Sequence, residues 1–88
     1  MNKLFLIHLG YYDEAVCKGL YECHTNVFIV AADFEDAKSK AKQLDIYQAK
    51  KMHIDGMQLI EAVNGFLVDL KLNKYLNGED RVTIQHAF

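Results

Sequence analysis

Residues 26–32, Asn-Val-Phe-Ile-Val-Ala-Ala, run apolar without alternation, and the chain changes to helical spacing at Asp33. Such a run predicts a strand with apolar groups on both faces, which needs cover above and below. Residues 3–9 predict a first strand of the same kind. Phe5, Ile7 and Leu9 share one face, and Leu4, Leu6 and His8 share the other. Gly10 is expected to end it, with a long connection over residues 11–20. Residues 21–32 then return as a second strand, antiparallel to the first, polar in its first half (Glu22, His24, Asn26) and apolar in its second.

Asp33 reads as the N-cap of a helix, its carboxylate accepting from the backbone N–H of Asp36. Glu35 and Asp36 suit the positive end of the helix dipole, and Asp36 stands four residues before Lys40. Phe34, Ala37, Ala41 and Leu44 form a narrow apolar stripe that lets the helix lie close on a sheet. The helix is expected to stop between residues 44 and 47. Residues 51–64 predict a third strand, with Gly56 marking a bulge or break. Asn64-Gly65 favours a type I′ hairpin into a fourth strand at 66–72, where Phe66, Val68, Leu70 and Leu72 alternate with Leu67, Asp69 and Lys71. Beyond Asn77-Gly78, the residues Val82, Ile84, His86 and Phe88 recur at period two, as an edge strand or an ordered arm.

The fold class is therefore α+β: a mainly antiparallel sheet of four to five strands with one helix on one face. At 88 residues the chain reads as a single domain, 1–88, with a core at 3–72 and the arm or extra strand at 73–88. One helix leaves the other face bare at Leu4, Leu6, Phe28 and Val30. An apolar patch of this kind marks a partner or a covering segment. The C-terminal arm, a ligand or a second copy could cover it, and a homodimer is the favoured reading.

Composition narrows the function classes. Hydrophobic residues make up 51% and charged residues 25%, values of a folded chain rather than a disordered one. A net charge of -2 gives no footprint for nucleic acid, and Lys38, Lys40 and Lys42 beside Glu35 and Asp36 read as a solvated helix face. No apolar run approaches a membrane span or a signal-peptide core, so the expected location is cytoplasmic, with Cys17 and Cys23 reduced. The spacing of Cys17, Cys23 and His24 does not fit structural zinc.

Candidate chemistry rests on His8, Glu22, His24, His53 and Asp55. His8 and His24 can share a face, as can His53 and Asp55. Should both pairs meet, the set would suit a divalent metal (His8, His24, His53, Asp55) or acid–base work. Their spacing matches no metal signature, so the simpler reading is a solvated sheet face. Tyr11, Tyr12 and Tyr21 lack a basic surround and read as loop packing or interface residues.

The ordered landmarks His8-Leu9-Gly10, Glu22-Cys23-His24 leading into Val27-Phe28-Ile29-Val30, the capped helix, His53-Ile54-Asp55-Gly56 and Val63-Asn64-Gly65-Phe66 resemble the bacterial domain-of-unknown-function family fifteen forty-three. The resemblance covers roughly residues 3–72. It departs at Asn64, where that family usually has Asp, and at Met57, where it has an aromatic residue. It implies a strand-strand-helix-strand-strand unit in which His8, Glu22, His24, His53 and Asp55 fall on marked positions. It implies no activity. Because the family includes one- and two-copy forms, it also implies that units pair. A self-associating or protein-interaction module is thus the leading expectation, without a required cofactor. The alternative is a metal-binding or acid–base enzyme built on the His/Glu/Asp set.

Overall fold

A computed structural model of the chain describes residues 1–86. Its principal sheet has three antiparallel strands: β1 (Lys3–Tyr12), β2 (Glu22–Ala31) and β3 (His53–Ile60), in the order β2-β1-β3. Between β2 and β3 lie helices α1 (Phe34–Lys42) and α2 (Asp45–Ala49). A separate two-stranded ribbon, β4 (Ala62–Val63) and β5 (Phe66–Leu67), follows.

Phe5, Ile7 and Leu9 are buried under the helices together with Ile29, Ala31, Ala37, Ala41 and Met52. Alternation supplies this face. In the register Phe5↔Ile29 and Ile7↔Val27, the odd-numbered residues of β1 and β2 point to the core, and the even-numbered ones point away. Ala37 and Ala41 are fully buried and let α1 approach closely, while Phe34 meets Phe5 edge to face at 5.1 Å. Asp33 caps α1, accepting from the Asp36 N–H at 2.8 Å, and the Asp36 carboxylate accepts in turn from the Ala32 N–H at 2.9 Å. Lys40 closes the arrangement on Asp36 at 3.3 Å and on the Val30 carbonyl at 3.0 Å.

Several expectations need correction. Gly10 does not end β1, which continues through Tyr11 and Tyr12. The helix ends at Lys42, and a short second one starts after Leu44, whose extended backbone (ψ 138°) breaks the first. The hairpin turn is as predicted, with positive φ at Asn64 (53°) and Gly65 (83°). The fourth strand is not as predicted. The strand is confined to Phe66 and Leu67, with one further backbone bond from the Val68 N–H to the Glu61 carbonyl at 2.9 Å, and it pairs with β4 rather than extending the main sheet. Local alternation over 66–72 specified a strand, but nothing local specified a neighbour for it. The segment at 79–86 contains no strand, and Phe88, the last member of that alternation, lies outside the described residues.

Asp33→Ala should lower stability by about 1 kcal/mol through loss of the cap, seen as a lower denaturation midpoint at unchanged m-value. An unchanged midpoint would remove Asp33 from the account. Asp36 adds a pH dependence, because the Ala32 N–H and then Lys40 hold its carboxyl below the ordinary carboxylate range. Its stabilisation should be complete above the unfolded value of about 3.9 and be lost as pH falls through the lower folded value. Asp36→Asn should therefore shallow the acid limb of a stability–pH curve, and an unchanged limb would contradict this.

Candidate metal centre

Opposite the helices, the even-numbered face of β1 carries Leu4, Leu6, His8 and Gly10 in line. Gly10 lies directly between His24 on β2 and His53 on β3. Strands on either side of a middle strand stand roughly 9–10 Å apart, so side chains from β2 and β3 can meet only by leaning over β1. They do so here. The His24 Nδ1 lies 3.1 Å from Asp55 Oδ2, a contact that spans the middle strand. From the other direction, His53 Nε2 lies 2.5 Å from Glu22 Oε1 and 3.1 Å from Asp55 Oδ1.

Gly10 makes this convergence sterically feasible. A Cβ at that position would fall 2.4 Å from Glu22 Oε1, 2.6 Å from His53 Nε2 and 2.7 Å from Asp55 Oδ2. All three atoms are side-chain ends, and they occupy the space a larger residue would fill. Gly10 is buried beneath them.

A bulge in β3 supplies the rest. His8 faces Gly56, yet Leu9 faces Ile54 and Gly10 faces His53, so Asp55 is the extra residue. Without the slip, Asp55 would stand opposite Leu9 and Ile54 opposite Gly10, putting a carboxylate in the core and an isoleucine in the cluster. With it, Ile54, Met57 and Leu59 pack against the core, while His53 and Asp55 reach the open face.

His8 lies one step along the same face, its ring stacked on that of His24 (centroids 4.9 Å apart, planes 3° apart). Its Nδ1 donates to Asn26 Oδ1 at 2.7 Å, which leaves the Nε2 lone pair available. His24 turns its other nitrogen, Nε2, towards Glu22 Oε2 at 3.6 Å. All the residues of the cluster are partly open to solvent. Two sets of donor atoms, each lying within 4.8 Å of one another, emerge: His8, His24, Asp55 and Glu22, His53, Asp55.

All five residues singled out from the sequence are therefore brought together, and the two cysteines are not. Cys17 and Cys23 are free thiols, and neither belongs to a donor set among the described residues. Cys23 pairs with Tyr11, on the core side of the sheet. Gly10 and Asn26 are the participants that sequence reasoning missed. The polar start of β2 contained Asn26, but the need for a glycine appears only once β1 is known to be the middle strand.

The geometry defines a small α+β protein with a histidine–carboxylate cluster on an open antiparallel sheet. The model of the Domain of Unknown Function family DUF1543 matches residues 19–70, and the chain belongs to that family. No curated protein and no solved structure matches it. No helix among the described residues is long and apolar enough to cross a membrane.

Gly10→Ala tests this arrangement. The strand tolerates alanine, so far-UV circular dichroism should be unchanged, while the side-chain resonances of His53 and His24 should move as the cluster is pushed apart. Unmoved imidazole resonances would mean that the cluster does not close over Gly10.

Proposed function

We propose that this protein binds a divalent transition-metal cation on its open sheet face, through Glu22, His24, His53 and Asp55 with His8 alongside. The observation that carries this reading is convergence across three strands over a glycine. Imidazole–carboxylate contacts draw these side chains together over β1, and the assembled cluster presents two sets of converging nitrogen and oxygen donors. Two carboxylates and three imidazoles offer the nitrogen and oxygen donors that suit zinc and its neighbours. His53 Nε2 faces two carboxylates, and both nitrogens of His24 face carboxylates. A neutral imidazole has one N–H, so a bound cation would complement the remaining lone pairs. Within this cluster each donor set, His8/His24/Asp55 or Glu22/His53/Asp55, supplies three protein ligands, the donor count of a catalytic rather than a structural zinc site. Metal-assisted acid–base chemistry is the activity class this supports.

Self-association is a second reading, favoured by a separate observation. The radius of gyration is 15.1 Å, against about 12 Å for a compact chain of this length. The segment after β3 presents Phe66 at 78% exposure and Tyr75 at 99%, and Phe28 on the open face is 66% exposed. That segment borders the hollow containing Leu4, Phe28 and Val30. It leaves much apolar surface for a second copy, in keeping with the expected interface at Leu4, Leu6, Phe28 and Val30. Such a module would work in the cytoplasm, where its free thiols stay reduced.

Zinc should raise the melting temperature by mass action. At a hundredfold excess over Kd the gain is about 2.7 kcal/mol, each kcal/mol being worth roughly 4–8 °C in a domain of this size. The double variant His24→Ala, His53→Ala should fold and lose the shift. An unshifted wild-type protein would reject the metal reading. For self-association, light scattering should give a dimer mass that Phe28→Glu reduces to monomer. A monomeric wild type would reject it.

A further inference from the structure

We infer that the cluster holds two divalent ions bridged by the carboxylate of Asp55, an inference that rests on the cation-binding reading above. The two oxygens of Asp55 face different partners. Oδ1 lies 3.1 Å from His53 Nε2, and Oδ2 lies 3.1 Å from His24 Nδ1. Zinc bonds of about 2.0–2.1 Å to nitrogen and oxygen place neighbouring ligand atoms of one ion roughly 3 Å apart. Each of these contacts therefore has the length of one edge of a coordination shell, and the two edges start from different oxygens of one carboxylate.

The donors divide in the same way. His8, His24 and Asp55 form one set, Glu22, His53 and Asp55 the other, and only Asp55 is common. One ion held by Glu22, His53 and Asp55 would lie beside Gly10; the Asp55 oxygen nearest the glycine is Oδ2, which also faces His24, so this ion would take the carboxylate through Oδ1. It would leave His8 idle. Yet the Asn26 contact leaves the His8 Nε2 lone pair available, and a turn of the ring off its stack on His24 would aim that nitrogen at an ion further along β1. A second ion there uses the remaining donors.

The coordination count agrees, and two carboxylates against two dications would leave a net positive centre suited to an anionic substrate. Each ion would have three protein donors and open positions for water, and the shared carboxylate would offset part of the repulsion between two dications. Pairs of ions about 3.5–4 Å apart are the arrangement that clamps the attacking and leaving oxygens of a displacement at phosphorus or an acyl carbon. A substrate presenting such an oxyanion is the class this centre would accept. The shallow depression beside His8, lined by Leu6, Asn26, Gly56 and Gln58, offers space for it. No Cβ placed on Gly56 would meet another atom within 4 Å, so this side of the centre is open.

Zinc stoichiometry of the full chain, measured by calorimetric titration with zinc alone and checked by native mass spectrometry, decides the matter. The expected result is two ions per chain for the wild type, one for His8→Ala, one for Glu22→Gln, and weakened binding of both for Asp55→Asn, with circular dichroism confirming that each variant folds. One ion in the wild type, lost in Glu22→Gln and kept in His8→Ala, would overturn the paired centre while leaving the cation-binding reading intact. Two ions unaffected by His8→Ala, or by Asp55→Asn, would also overturn it. No bound zinc at all would overturn both.

Discussion

The site depends on one steric constraint: the middle strand of a three-stranded sheet must lack a side chain where its neighbours meet. Gly10 provides that gap. Side chains on β2 and β3 start on opposite sides of β1, and the link from His24 to Asp55 crosses over the glycine. A Cβ there would fall 2.4–2.7 Å from Glu22 Oε1, His53 Nε2 and Asp55 Oδ2, so those three side-chain ends would have to move apart. The strand retains its pairing on both sides, so the gap costs little in backbone hydrogen bonding. A glycine that weakens a strand by entropy is here offset by the packing it permits above it.

The bulge at Asp55 is the second device, and it couples core to site. An uninterrupted strand can present either its apolar residues to the helices or its polar ones to the cluster in a given register, because a slip by one residue exchanges the faces. By inserting one residue between Ile54 and Gly56, β3 keeps Met57 and Leu59 against the core, opposite Ile7 and Phe5 of β1, while delivering His53 and Asp55 to the opposite face. Core packing thus positions the site: Phe5, Ile7 and Leu9 fix β1 against the helices, and β1 fixes the register of both neighbours.

Much of this was legible in the residues and some was not. Alternation assigned the faces of the first strand, Asp33 announced its helix, and Asn64-Gly65 announced its turn, because each signal is local. His53 and Asp55 could be given a common face for the same reason. Their meeting with His24 could not be read, since it depends on β1 lying between β2 and β3, a matter of long-range pairing. Gly10 was misread as a strand end for a related reason: a glycine that breaks a strand and one that makes room above it look alike until the neighbours are known. The segment at 66–72 failed in the opposite sense, its alternation being clear and its partner absent from the main sheet.

The helical side of the sheet holds the buried core, and the open side carries the histidine–carboxylate cluster and the exposed apolar residues Phe28 and Val30. The claim on which this account turns is that the cluster over Gly10 takes a metal ion through nitrogen and oxygen donors. X-ray absorption at the zinc edge of the zinc-loaded protein tests it most directly. The account predicts a first shell of nitrogen and oxygen at about 2.0–2.1 Å, with the outer-shell scattering of imidazole and no sulfur at about 2.3 Å. A sulfur shell, which would place the ion on Cys17 or Cys23, or a shell of oxygen without imidazole scattering, would contradict it.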